Sequence, residues 1–231
     1  MERLSRTLKA SAGKRAQAPE LRPNRKQDIL LAAEKLFALN GYHSVTIRQI
    51  AEEAAVPLAL VGYYYGQKHE LFHAIFAHWN ETIEERLAAL RDIKNVPADP
   101  ETLRHIIEAF VAPVLRLRAS EEGVYYALLV ARELSYKTEG SDQVLRDYFD
   151  PLAHAFIDAI HKALPHASRE QVTWGYQFSL GALVHHLSDN RVERLSNGIN
   201  KASDPSASPL LVSFIVGGLR AALTVPTVSL N

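Results

Sequence analysis

The sequence contains no cysteine, one methionine, and no uninterrupted apolar run as long as a membrane span. Without cysteine the chain cannot form a disulfide or a thiolate metal site, which suits a reducing compartment. The longest apolar run, 209–219, is closed by Arg220 and is shorter than the ~18 residues that a transmembrane helix needs. Residues 1–24 also lack the continuous apolar stretch of a signal peptide. We therefore expect a cytoplasmic protein with no membrane partner.

The chain also has no net charge, because 26 Lys and Arg balance 26 Asp and Glu. The balance is uneven along the chain: residues 1–30 hold eight basic and three acidic side chains, a net charge of +5, which leaves −5 on the remainder. A basic segment that is poor in apolar residues is typical of an arm that contacts DNA phosphates. A solvated tail without a partner has the same composition, so both interpretations stay open. We predict a flexible basic arm over residues 1–24.

Apolar residues recur at helical spacing along most of the chain, while alternating strand patterns of useful length are missing. The sequence therefore predicts an all-α protein. A first helix is expected to end at Gly41, and Thr46 with Gln49 has the spacing of a capping box at the start of a second. Pro57 suits the first position of a third helix, which ends near residue 66. Further helices are predicted over 67–90, 101–118, 121–136, 141–164, 168–195 and 209–223, with Pro151 kinking or dividing the fourth of these.

Three short helices, with a tight turn between the second and third, are the layout of a helix-turn-helix DNA reader. Residues 46–71, TIRQIAEEAAVPLALVGYYYGQKHEL, resemble the signature of the TetR family of bacterial transcription regulators. The resemblance runs over about residues 25–75. It implies a helix-turn-helix DNA-binding domain over 25–72, followed over 73–231 by a helical-bundle domain for ligand binding and dimerisation. The expected function is a homodimeric repressor, released from its operator by a small lipophilic or aromatic effector, with neither a cofactor nor an enzymatic activity.

The resemblance and the chemistry of the side chains together predict the DNA contacts. A phenol and an ammonium suit phosphates, the Thr46 helix start offers free backbone N–H groups, and exposed side chains of the second and third helices suit the groove. Leu58 and Ala59 could touch thymine methyl groups. Gly62 stands where the family commonly has an aromatic residue, so it offers only backbone to DNA. The predicted DNA-contacting residues are Thr46, Arg48, Leu58, Ala59, Tyr63, Tyr64 and Lys68.

Two apolar segments near the C-terminus, residues 178–187 and 210–223, have the character of dimer helices. Small residues such as Gly181 and Gly217 would let helices approach closely, and a two-fold protein fits a two-fold operator. The same helices could instead form only the core of one subunit.

Ligand residues are predicted from polar or aromatic groups that are set in apolar helices, as a binding pocket requires. Each of these groups, taken singly, could equally belong to the core or to the surface. The predicted ligand-binding residues are Tyr125, Tyr126, Arg132, His154, Phe178 and His185.

A competing function comes from the H-E-x-x-H pattern of His69, Glu70 and His73, which on a helix can bind zinc in a hydrolase. The motif is short, it lies within the longer resemblance, and His78 points to the opposite side of the helix. We therefore expect no metal site. A third possibility is an architectural DNA-binding protein without an effector.

Overall fold

The computed structural model describes residues 24–135 and 139–223. These residues form α-helices joined by turns, with no β-strand among them, which confirms the predicted fold class. The predicted basic arm lies outside the described residues except for Asn24, whose side chain caps the first helix. The helices are α1 (Arg25–Asn40), α2 (Ile47–Glu53), α3 (Leu58–Tyr65), α4 (Lys68–His78), α5 (Asn80–Asp92), α6 (Pro100–Ala119), α7 (Val124–Ser135), α8 (Glu139–Val144), α9 (Asp150–Ala163), α10 (Arg169–Ser188), α11 (Arg191–Leu195) and α12 (Ser208–Leu223).

The start of α2 is fixed by the predicted capping box. Thr46 accepts a hydrogen bond from the Gln49 backbone N–H, and the Gln49 side chain accepts one from the Thr46 backbone N–H at 2.8 Å. The predicted end of α1 is also confirmed, since Gly41 follows the helix with φ +83° and its N–H donates to Phe37 O. Pro57 stands one position earlier than predicted, just before the first residue of α3.

Trp79 divides the predicted helix 67–90 into α4 and α5. Its indole N–H donates to the Glu34 carboxylate of α1 at 2.6 Å, and its ring stacks on Tyr126 of α7 with centroids 5.2 Å apart. The position of the break is therefore set by packing against two distant helices, which helical spacing alone does not reveal.

The remaining helices form a bundle. Pro151 is the second residue of α9, directly after a π-helical turn over Leu145–Phe149, so the predicted division of 141–164 is confirmed. The predicted helix 168–195 is interrupted between α10 and α11, where Asp189 accepts from the Arg191 backbone N–H at 2.7 Å.

Two apolar cores lie side by side. The N-terminal core is built by α1 to α4, and the C-terminal core by α5, α6, α9, α10 and α12. Helix α7 joins them, because its Tyr126 and Leu129 are buried in the N-terminal core and its Ala131 in the C-terminal core. The predicted domain boundary at residue 72 falls inside α4, whose Ile75 and Phe76 still pack in the N-terminal core.

The stretch Pro205–Leu223, which includes α12, is apolar and long enough to cross a membrane by length and composition alone, and 28% of it is buried. Counting only uninterrupted apolar residues misses this helix because serines and Arg220 break the run. Its inner residues Val212, Ile215 and Leu219 lie in the C-terminal core. The helix is therefore a bundle helix with an exposed apolar outer face.

The turn between α2 and α3 contains a strained backbone at Ala55, with φ +51°. An L-residue in this left-handed region costs roughly 1 kcal/mol or more, and glycine avoids that cost. We expect Ala55→Gly to raise the free energy of unfolding by roughly 0.5 kcal/mol, because relief of strain exceeds the added entropy of the unfolded chain. The neighbouring Ala54 has φ −77°, so the control Ala54→Gly should lower the free energy by roughly 0.5 to 1 kcal/mol. Urea denaturation measures the unfolding free energy of both variants, and an equal decrease in the two would contradict backbone strain at Ala55.

Candidate nucleic-acid interface and inner cavity

Six of the seven predicted DNA-contacting residues lie on α2, on α3 or at the start of α2, and the seventh, Lys68, lies on α4. Thr46, Arg48, Leu58, Ala59 and Tyr64 are exposed at the outer face of α2 and α3. Opposite side chains are buried, which fixes the orientation of both helices. Tyr63 extends furthest, with 79% of its surface exposed.

Helix α3 is held on α1 by two contacts. Val61 is fully buried, and the Tyr65 hydroxyl donates to the Lys26 carbonyl at 2.8 Å. Burial raises the pKa of Tyr65 to about 12, so this donor keeps its proton at neutral pH. Arg25 adds a bond from its guanidinium to the Ala55 carbonyl at 3.2 Å, which ties the turn to α1. These contacts fix the position of α3 on α1, with its other face exposed.

Lys68 is the first residue of α4 and lies beside the end of α3. Its ammonium lies over the Tyr42 ring, 4.4 Å from the centroid, and 5.8 Å from that of Phe37. Partial burial lowers the pKa of Lys68 from its ordinary value. The aromatic rings thus hold a half-buried cation at the edge of the predicted DNA-binding face.

Glu70 of the H-E-x-x-H pattern caps the start of α4, next to Lys68. Its carboxylate accepts the Gln67 backbone N–H at 2.7 Å and completes a capping box at the start of α4. A Cβ on Gly66 would lie 2.2 Å from that carboxylate, and Gly66 has φ +67°, so glycine is required there. No group of three or more His, Cys, Asp or Glu suited to a metal lies among the described residues.

Glu34 connects the two cores and was not predicted as a functional residue. Its carboxyl is 1% exposed, and it accepts hydrogen bonds from the Trp79 indole and from the Tyr126 backbone N–H. Burial raises the pKa of Glu34 to about 7, against the opposing effect of these two donors. The sequence pattern that could have identified Glu34 is its spacing of four residues from both Leu30 and Ala38, which places its carboxyl on the buried face of α1.

Two adjoining cavities of about 280 and 360 Å³ lie inside the helical bundle. Their shared lining is formed by Arg86, Val114, Val130, Phe149 and Leu187. A larger crevice of about 840 Å³, lined mainly by α1 and α5, contains several carboxylates, which disfavours an apolar ligand. The inner pair is the better candidate for a lipophilic or aromatic molecule.

The structure does not bring the six predicted ligand residues together. Tyr126 lines the 280 Å³ cavity, while Tyr125 lines the outer crevice. Arg132 lies next to Gly41, where a Cβ would come within 2.8 Å of its guanidinium. The other three residues are exposed: His154, Phe178 and His185. Arg86, which sequence reasoning missed, interrupts the apolar spacing of Ile83, Leu87 and Leu90 in α5, and that interruption was the available signal.

The outer faces of α10 and α12 carry large apolar side chains in water. Trp174 and Phe178 stack with centroids 5.8 Å apart, and both are more than 60% exposed. Leu210 and Phe214 on α12 are at least 70% exposed. Added Cβ atoms at the small residues between them, Gly181, Gly217 and Gly218, would meet nothing within 4 Å. Gly175 differs, because a Cβ there would lie 2.7 Å from Leu219 and hold α10 away from α12.

Comparison with known proteins agrees with this arrangement. Residues 29–75 match the family model "Bacterial regulatory proteins, tetR family", and residues 108–218 match "Tetracyclin repressor-like, C-terminal domain". The chain belongs to the TetR family. The first match covers the helix-turn-helix and α4, and the second covers most of the helical bundle.

Individual relatives are more distant. The HTH-type transcriptional regulator HbdR from Aromatoleum sp. (strain CIB) is 34% identical over 96 residues, which is 42% of this chain and only 41% of that regulator. A TetR-like regulator from Rhodococcus sp. RHA1 superimposes with a TM-score of 0.60 at 21% identity, over 89% of this chain and 99% of that one. A TetR-family regulator from Bordetella parapertussis 12822 gives 0.63 at 15% identity, over 89% and 100%. The solved structures establish the fold.

The raised pKa of Glu34 predicts a pH dependence of stability. With a pKa near 4.5 when unfolded and about 7 when folded, Glu34 favours the folded state at low pH, and this contribution is lost as the pH rises through 7. Glu34→Gln does not ionise, and its amide oxygen can still accept the Trp79 N–H. Between about pH 5 and about pH 8, the unfolding free energy of the variant should rise by roughly 2 to 3 kcal/mol relative to that of the wild type. Urea titrations at each pH measure the difference, and the exposed-site control Glu84→Gln should run parallel to the wild type.

Proposed function

We propose that this protein is a homodimeric, ligand-responsive DNA-binding repressor that acts in the cytoplasm. The observation that carries the proposal is the connection of an exposed helix-turn-helix face to a cavity in the bundle through the side chains of Glu34, Trp79 and Tyr126. Tyr126 lines the cavity and stacks on Trp79, and Trp79 in turn donates to Glu34 of α1. The family membership supports DNA as the partner of the exposed face.

The connection suggests how an effector would lower DNA affinity. A ligand in the smaller inner cavity would lie against Tyr126. A conformer with a displaced Tyr126 and Trp79 would also shift α1, on which α2 and α3 pack. The change in operator affinity equals the difference in ligand affinity between the two conformers and no more. An architectural protein without an effector would not need such a cavity beside the connection.

A homodimer is supported by the exposed faces of α10 and α12. Adjacent aromatic and aliphatic side chains in water are typical of a protein interface, and the open glycines permit close helix approach. In a two-fold dimer the two α3 helices would address two half-sites of an operator.

DNA binding by wild-type protein tests the proposal directly. Titrating DNA from upstream of its own gene against random DNA, with and without a small-molecule extract of the cells, should give specific binding that the extract weakens. Absence of specific binding would remove the proposed function, and specific binding that no extract alters would favour the architectural protein.

Lys68 and Tyr63 should differ in the kind of affinity that they supply. Lys68→Ala should weaken binding to specific and random DNA alike, and it should lower the log–log salt slope by about 0.9 for each phosphate that the protein no longer neutralises. Tyr63→Ala should leave the slope unchanged and cost roughly 1 to 3 kcal/mol on specific DNA only. Circular dichroism must accompany the titrations, because Lys68→Ala also removes the cation that lies over Tyr42. Wild-type binding by both folded variants would exclude this face as the DNA-binding surface.

A charge at Phe178 should separate the subunits. Phe178→Arg places a guanidinium in the exposed apolar face, so we expect a monomer in sedimentation velocity and a loss of specific DNA binding. The control is Val96→Arg, at a 40%-exposed position between α5 and α6, which should remain dimeric. A dimeric Phe178→Arg protein with normal DNA binding would place the interface elsewhere.

A further inference from the structure

Arg86 is a buried cation whose hydrogen-bonding capacity is incompletely used. It is 9% exposed in α5, and its Nη2 donates to the Phe110 carbonyl at 3.2 Å. The guanidinium carbon lies 5.4 Å and 5.7 Å from the ring centroids of Phe110 and Phe156. Its Nε has no hydrogen-bond partner, and none of the ion pairs found between described residues includes Arg86.

The charge on Arg86 persists at neutral pH. Burial lowers the pKa of Arg86 to about 10, which still leaves the guanidinium protonated. A buried charge without a counter-ion is costly, and the aromatic rings offset only part of that cost. A purely structural role would be served as well by an apolar side chain of similar length, since the contacts of Arg86 are mainly with rings.

Arg86 lies at the junction of the two inner cavities. Arg86 lines both of them, and Tyr126, which is 2% exposed, lines the smaller one. The Tyr126 hydroxyl also lacks a hydrogen-bond partner. Arg86 and Tyr126 therefore line the same 280 Å³ cavity.

The rest of the smaller cavity is mainly apolar apart from Glu85 and Arg116. The larger cavity is more polar, because Asp142, Arg146 and Asp150 also line it, so the smaller one is the better site for an apolar body.

We propose that the effector is a carboxylate on an apolar or aromatic body, bound with its carboxylate on Arg86 and Tyr126. The guanidinium and the phenol supply charge-assisted hydrogen bonds to one anionic group, and a carboxylate matches the planar geometry of the guanidinium. The apolar body fills the space between Val114, Val130 and Phe149. This inference rests on the proposed function for its effect on DNA, but not for the binding itself.

Matched pairs of small molecules test the charge without any change to the protein. Isothermal titration calorimetry would compare octanoate, decanoate and 2-naphthoate with the primary amide of each acid. At least one carboxylate should bind, and bind more tightly than its amide by roughly tenfold to hundredfold. Equal affinities within every pair, or no binding by any of the three carboxylates, would overturn the proposal.

Variants then locate the charge at Arg86. Arg86→Met keeps the length of the side chain, and it should bind acid and amide with similar affinity. The control Arg116→Met removes an exposed guanidinium from the same cavity wall and should keep the wild-type preference. If Arg86→Met does not fold, Tyr126→Phe gives the readout, with a smaller loss confined to the carboxylate. If folded Arg86→Met still prefers carboxylates to amides, the carboxylate does not bind at Arg86 and the assignment is wrong. The same holds for Tyr126→Phe if that variant has to be used instead.

The DNA titration separates this inference from the proposed function. If the protein prefers carboxylates through Arg86 but binds no specific DNA, the carboxylate site is supported and the proposed function is wrong. If the protein binds specific DNA and only neutral molecules release it, the proposed function is supported and the carboxylate effector is wrong.

Discussion

The hydrogen bond from the Trp79 indole to the buried carboxyl of Glu34 ties the support of the helix-turn-helix to the start of the bundle. It connects α1, which supports the helix-turn-helix, with the break between α4 and α5, where the bundle begins. The Tyr126 backbone N–H donates to the same carboxyl, so a third helix is held at one point. An isolated carboxyl in this position would be strongly destabilising, and its two donors make burial tolerable.

The connection also explains why α7 belongs to both cores. An apolar interface alone would let two helical units slide, because apolar contacts have little directional preference. The hydrogen bonds to Glu34 and the stacking of Trp79 on Tyr126 select one relative position. Any change in the cavity that moves Tyr126 therefore meets directional resistance in α1.

Local features could be predicted from the sequence, because short segments determine them. The capping box of Thr46 and Gln49, the glycine end of α1 and the division before α9 each depend on a few neighbouring residues. The break at Trp79 could not, since its cause lies in Glu34, 45 residues earlier. The cavity residues were largely missed for a related reason: polar and aromatic residues on α10 point outward, and helical spacing does not say which face meets the bundle.

Gly62 gives α3 a capacity for change. A glycine inside a helix costs roughly 1 kcal/mol relative to alanine, yet a Cβ added at this position would meet no neighbour within 4 Å. A single codon change from glycine to alanine at residue 62 would therefore strengthen the helix and add a methyl group to the face that we propose to contact DNA. Because this substitution adds stability, descendants of this chain can vary the chemistry of that face without first accumulating compensating substitutions elsewhere.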